Sequence, residues 1–162
     1  MNIQSKSAIA AGNGKFIIDN ITIAPPKEDE IIVKIKAAGL CHTDHDSLTW
    51  GKPIVLGHEG AGIVEQIGSA ITKFKVGDKV ILNWATPCMK CFQCQEGNVH
   101  ICETNSPVCG CGLEGHAHIE SSKHKEQPIE RSFHLGTMSE YAMVKQEAVV
   151  KLNHDISFAA AS

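Results

Sequence analysis

The sequence predicts a mainly β domain, a barrel or sandwich of short strands, with few short helices and one loop lobe held together by metal. Three observations point there. Runs of β-branched residues are short and separated by turns, in keeping with fourteen Gly and six Pro in 162 residues. The stretch from Pro87 to about Gly112 is dense in Cys and Gly and carries no apolar period. A 43% apolar composition is enough for one packed core of this size and argues against disorder.

In chain order, Lys15–Ile23 and Ile31–Lys36 read as the first two strands, bracketing the turn-like Ala24-Pro25-Pro26. Gly60–Gly68 reads as a strand that opens on glycine, and Lys79–Asn83 as another after the turn Val76-Gly77-Asp78. The lobe spans about residues 86–112. Lys123–Arg131 is polar and expected on the surface, and Ser139–Val150 returns to apolar character as one or two strands. Asp155 and Ser157 are both suitable N-caps for the helix-forming Ala159-Ala160-Ala161. That helix starts and the chain stops at Ser162, which is consistent with either a truncated chain or a frayed tail.

Composition excludes several function classes. Fifteen Lys plus Arg stand against eighteen Asp plus Glu, a net charge of −3, and Arg131 is the one arginine. No basic stripe is present to neutralise a nucleic-acid backbone. No run of eighteen apolar residues reads as a membrane-spanning helix, and Ala8–Ala11 is too brief for the apolar region of a signal peptide. Seven cysteines, at 41, 88, 91, 94, 102, 109 and 111, are an odd number at tight spacing. In a cytoplasmic, reducing setting such a pattern holds metal more often than disulfides.

Cys88-x2-Cys91-x2-Cys94-x7-Cys102 supplies four thiolates, a closed tetrahedral shell suited to a structural Zn²⁺. Short spacings let one loop wrap the ion, Gly97 eases the turn back, and metal binding replaces the missing core. The run also resembles the opening of a [4Fe–4S] motif, but that motif needs its fourth Cys after three residues and then Pro. Here seven residues intervene and Glu103 follows Cys102, so zinc is favoured. A second constellation joins Cys41-His42-Thr43-Asp44 to Gly57-His58-Glu59. Cys41 and His58 are good zinc ligands, Asp44 suits the other nitrogen of a ligating imidazole, and Glu59 adds negative charge behind a metal. On this chemistry alone, two ligands do not make a site, and structural roles for these residues remain open.

Gly57-His58-Glu59-Gly60-Ala61-Gly62, with Gly68 and Ile71 downstream, resembles the zinc signature of the zinc-dependent alcohol dehydrogenases. Gly39 to Asp44, the four-Cys lobe and Gly136-Thr137 to Tyr141 follow that family in order and spacing. The resemblance runs through nearly the whole chain and implies a GroES-like β-barrel over residues 1–162, the catalytic domain alone, ending before the Rossmann cofactor domain. It implies an oxidoreductase that converts an alcohol to an aldehyde or ketone with NAD or NADP, zinc acting as Lewis acid. Cys41 and His58 would be two catalytic-zinc ligands, the third being a Cys beyond Ser162. Asp44 would orient His58, Glu59 would sit behind the zinc, His42 would approach the cofactor pyrophosphate, and Thr43 would accept the alcohol proton. Cys88, Cys91, Cys94 and Cys102 would hold the structural zinc. Trp84, Trp50 and His134 would line the substrate pocket. The implied partners are a small alcohol or aldehyde and, in the full-length enzyme, further copies of itself, with no nucleic acid and no membrane.

The chain departs from the pattern in places. Many members place a His five residues after Cys41 to end a proton relay, whereas this chain has Asp46 with His45 beside it. Thirteen residues separate Asp44 from His58, fewer than in the glutathione-dependent formaldehyde dehydrogenase branch that Cys-His-Thr-Asp resembles. Gly110 to Gly115 matches Gly-x-Gly-x-x-Gly, but it neither follows a predicted strand nor opens a helix, so it reads as loop glycine. His116, His118 and His124 read as a solvated loop, and Cys109 and Cys111 stay unassigned. The competing classes are a zinc-binding module without activity and an iron–sulfur carrier.

Overall fold

The computed structural model describes residues 1–104, 119–121 and 129–162, the middle segment as backbone. Cys109, Cys111, the 110–115 glycines and His116, His118 and His124 lie outside the described residues. Among the described residues, ten strands form two five-stranded sheets. The first contains β1 (Ile3–Ala10), β2 (Phe16–Ile23), β4 (Ile54–Val55), β7 (Ile119–Ser121) and β8 (Glu130–Arg131), in the order β7-β2-β1-β4-β8. The second contains β3 (Glu30–Ala38), β5 (Gly60–Ile67), β6 (Lys79–Leu82), β9 (Tyr141–Lys145) and β10 (Val149–Lys151), in the order β10-β6-β5-β3-β9. Neighbours pair antiparallel, apart from the parallel β4–β8 contact. Helices are short: α1 (His42–Ser47), α2 (Phe92–Gln95) and α3 (Phe158–Ala161). None is long and apolar enough to cross a membrane among the described residues.

Strand β3 organises the interior because both of its faces are buried. Ile31 and Val33 point into a cluster with Val64, Val80, Leu82 and Val144, while Ile32 points the other way onto Ile9, Ile21 and Met143. Successive strand side chains alternate faces, so one strand can serve two cores. Register shifts at Ile32/Val33 and Ile35/Ala37 bend β3 against β5. That bend brings the end of β3 towards the start of β5, where Gly39 donates its N–H to the Glu59 carbonyl at 3.1 Å.

Two expectations are corrected. The first strand is Ile3–Ala10, ahead of the two that the β-branched runs mark. Its inward positions include Ser5 and Ser7, both buried, so its period-2 pattern is not apolar. The Ser5 hydroxyl accepts the Tyr141 N–H at 3.0 Å, which satisfies it inside the core. Second, Lys123–Arg131 is not all surface: Ile129 and Arg131 are buried at its described end. The Arg131 guanidinium donates to the Met143 carbonyl. Burial draws its pKa down to about 10, opposed by the charge of Glu30. The helix start at Ser157 forms as expected, the Ser157 hydroxyl accepting the Ala160 N–H at 3.2 Å.

Candidate metal centres

Cys41 stands at the N-cap of α1, and the carboxylate of Asp44 ties it to β5. Asp44 Oδ2 accepts the Cys41 N–H at 3.0 Å. Its other oxygen accepts the Gly57 N–H at 3.1 Å and lies 3.3 Å from His58 Nδ1. One carboxylate, 2% exposed, thereby fixes the backbone on both sides and the orientation of the imidazole. With Nδ1 engaged by the carboxylate, Nε2 is the nitrogen left for a ligand. The ligating atoms of Cys41, His58 and Glu59 all lie within 4.8 Å of one another. Thr43 Oγ1 is 3.7 Å from the Cys41 sulfur.

Two glycines make this approach possible. A Cβ at Gly39 would fall 2.1 Å from Glu59 Oε2, so the Glu59 side chain occupies space that only glycine leaves open. Gly57 has φ +93°, where L side chains are strained. The Thr137 hydroxyl donates to the Glu59 carbonyl at 3.0 Å and the Thr137 N–H to the Gly57 carbonyl at 3.0 Å, closing the turn from behind.

Beside Cys41 opens a cleft of about 710 Å³, lined chiefly by apolar side chains including Phe16, Leu40, Leu48, Leu56 and Met138, with His42 at its edge. Trp84, Trp50 and His134 stand apart from this cleft. Trp84 meets Phe133 edge-on at 5.2 Å, and the Phe133 ring lies 4.4 Å from that of His58. Trp50 packs against the cluster of Ala10, Ile54 and Leu56. His134 is buried, and it shares with Phe133 a positive-φ turn. Sequence reading does not single out Phe133, and an aromatic residue beside His134 carries no spacing signal that would reveal it.

The second centre is the lobe. The sulfurs of Cys88, Cys91, Cys94 and Cys102 lie within 4.8 Å of one another, and none of the four is in a disulfide. Cys91 caps α2, and Met89 (φ 59°) and Gly97 (φ 84°) turn the chain around the cluster. The Cys91 and Cys102 sulfurs are 4.0 Å apart. Four sulfurs about 2.3 Å from a zinc stand roughly 3.8 Å from one another. Backbone N–H groups point at the thiols: Lys90 and Cys91 donate to Cys88 at 3.4 and 3.3 Å, and Cys88 donates to Cys102 at 3.3 Å.

These donors split the thiols electrostatically. The Lys90 N–H, helped by the Thr104 hydroxyl and the Cys91 N–H, holds Cys88 down at about 6. Burial pushes Cys94 up to about 12, with the neighbouring thiols adding to it. Burial also acts to raise Cys102, but the Thr104 hydroxyl and the Cys88 N–H outweigh it and leave the thiol below its ordinary value. Without a cation, packing four sulfurs forces at least one to stay protonated. A divalent metal removes that conflict, and the donor set therefore fits zinc.

Residues 27–154 match the family described as alcohol dehydrogenase GroES-like domain. The chain is 36% identical over 159 residues to an alcohol dehydrogenase class-3 from Drosophila melanogaster, covering 93% of this chain and 41% of that protein. It is 34% identical over 157 residues to an S-(hydroxymethyl)glutathione dehydrogenase from Escherichia coli, covering 93% and 42%. A crystal structure of benzyl alcohol dehydrogenase from Acinetobacter calcoaceticus superposes with a TM-score of 0.82 at 32% identity, covering 96% of this chain and 43% of that one. The chain thus spans about two fifths of the length of the curated relatives it matches.

Proposed function

Because the chain belongs to the alcohol dehydrogenase GroES-like domain family, we propose that it is the catalytic-domain portion of a zinc-dependent alcohol dehydrogenase. The observation that carries this reading is the Asp44 carboxylate, which joins Cys41, Gly57 and His58 and sets two zinc ligands facing one another. Residues 1–162 would form one GroES-like catalytic domain, with the structural zinc lobe at about 86–112. In this reading the NAD or NADP site would come from a cofactor domain that residues 1–162 do not supply.

In this reading Cys41 and His58 hold the catalytic zinc. Glu59, whose carboxylate lies within the same 4.8 Å cluster, would sit behind the zinc and add negative charge there. Zinc held there would supply Lewis acidity that eases deprotonation of an alcohol, and a nicotinamide cofactor would supply the hydride acceptor. Asp44 keeps the His58 ring in one orientation. Thr43, two residues beyond Cys41 and 3.7 Å from its sulfur, would accept the alcohol proton at the start of a relay. His42, 85% exposed at the cleft edge, is open to an anionic cofactor phosphate. The apolar walls of the cleft, Phe16, Leu40 and Leu48 among them, suit a hydrophobic alcohol. Trp84, which meets Phe133 edge-on, and Phe133, whose ring lies beside that of His58, would offer aromatic surface near the zinc ligands, and His134 adjoins Phe133 in the chain. Trp50 would act at one remove from the cleft, packed against the cluster that contains Leu56. The five described cysteines are free thiols, in keeping with a cytoplasmic, reducing location.

The test is zinc-dependent formation of reduced nicotinamide from benzyl alcohol, measured with a dinucleotide-binding domain supplied in the same chain. Cys41→Ser and His58→Ala should each abolish turnover while leaving the lobe zinc bound. Turnover that persists in either variant would refute the assignment. The isolated 162-residue chain should show none, since nothing described in it forms a dinucleotide fold.

A further inference from the structure

Helix α1 carries a second set of donors on its outer face. His42, His45 and Asp46 fall at i, i+3 and i+4, a spacing that stacks them on one side of a helix. Their ligating atoms all lie within 4.8 Å of one another. His42 Nδ1 is 3.4 Å from Asp46 Oδ2, and His45 Nδ1 is 3.7 Å from Asp46 Oδ1. The two imidazole rings stand 5.8 Å apart, tilted at 47°, and so do not stack on each other. All three side chains are open to solvent.

The separations are informative. Both exceed the roughly 2.7–3.2 Å of an N–H···O hydrogen bond. The first matches the edge of about 3.3–3.4 Å between donors that sit about 2.0–2.1 Å from a shared tetrahedral zinc; the second, to the other Asp46 oxygen, is longer and would close on metal binding with both oxygens facing the ion. Two imidazoles with one carboxylate favour borderline transition ions, whereas Mg²⁺ and Ca²⁺ prefer shells of oxygen alone. We propose that His42, His45 and Asp46 form a surface site for a divalent transition-metal ion of the Zn²⁺, Ni²⁺ and Cu²⁺ class, with water completing the shell. The site is distinct from both the four-Cys lobe and the Cys41–His58 pair, none of whose ligands it shares. It does not rest on the dehydrogenase reading, although it draws on His42, which that reading turns towards a cofactor phosphate. It also gives a role to the His45-Asp46 pair, which stands where many family members carry the relay histidine.

The experiment is calorimetric titration of the zinc-replete protein with Ni²⁺ alone, repeated on His45→Gln and on Asp46→Asn. Both positions are exposed, so the fold should be retained, as circular dichroism would verify. Each substitution is expected to weaken one Ni²⁺ site by roughly tenfold or more, about 1.4 kcal/mol. Tightly held zinc should be unchanged in both, and Cu²⁺ spectra should show one fewer coordinated nitrogen in His45→Gln. Ni²⁺ affinity that stays at the parent value in either variant would overturn the site, as would a Cu²⁺ spectrum indifferent to His45. Because the readout is metal binding alone, failure here leaves the dehydrogenase assignment untouched, and the reverse also holds.

Discussion

Asp44→Asn is the sharpest perturbation of the Cys41–His58 centre, because it keeps the shape of the side chain and removes its charge. Three donors converge on the carboxylate: the Cys41 N–H at 3.0 Å, the Gly57 N–H at 3.1 Å, and His58 Nδ1 at 3.3 Å. Asparagine offers one acceptor oxygen and one NH2 group, so at least one of these donors meets another donor in a site that is 2% exposed. A hydrogen bond to a charged group contributes about 1.5–3 kcal/mol, and a stranded buried donor costs a similar amount. The expected loss of stability is therefore about 2–4 kcal/mol, read as a lower urea midpoint with an unchanged slope. Zinc at Cys41 and His58 should bind roughly 10–100-fold more weakly, since the carboxylate no longer fixes the imidazole. Competition with a chromophoric chelator, in protein whose lobe is already loaded, measures this directly. A variant within about 0.5 kcal/mol of the parent, with undiminished zinc affinity, would refute the bridging role.

Cys88→Ser should release the lobe zinc, lowering the metal content by one ion and loosening the 88–102 segment to proteolysis, while the metal affinity measured at Cys41 and His58 stays at the parent value; simultaneous loss of both metals would contradict the separation of the centres. The zinc-loaded lobe should be colourless, and a visible charge-transfer band that bleaches on reduction would point to an iron–sulfur cluster instead. Arg131→Leu should cost about 3–5 kcal/mol by leaving the fully buried Glu30 without its opposing charge, and adding Glu30→Gln should restore part of that loss in chemical denaturation. The Lys151 ammonium, 3.0 Å from Asp78, holds that carboxyl below its ordinary value. The folded-state pKa is thus the lower one, so the stabilisation is present above about 3.9 and is lost as pH falls through the folded value. Lys151→Met should move the Asp78 titration upwards when followed by NMR, and an unmoved titration would assign the shift elsewhere.

Strands with a clear hydropathy pattern are legible from the chain alone. Phe16–Ile23 and Gly60–Ile67 lie within a residue of where β-branched runs and turn residues place them. The strand Ile3–Ala10 escapes because its inward face is built from serine. Ser5 and Ser7 read as solvent-facing in any hydropathy scheme, and only a partner 136 residues away, the Tyr141 N–H, makes burial of Ser5 favourable. Arg131 escapes for the same reason: a guanidinium is expected outside unless an opposing charge and a free carbonyl meet it, and Glu30 and Met143 are invisible to local pattern. The metal centres divide along the same line. The four-Cys lobe is legible because its ligands sit within fifteen residues, close enough for spacing to imply one loop around one ion. The Cys41–His58 pair is legible through the family resemblance and not through spacing, since nothing local joins the cap of α1 to the start of β5. What joins them is the Asp44 carboxylate, which accepts from one segment with each of its oxygens, a contact across thirteen residues that no local pattern announces.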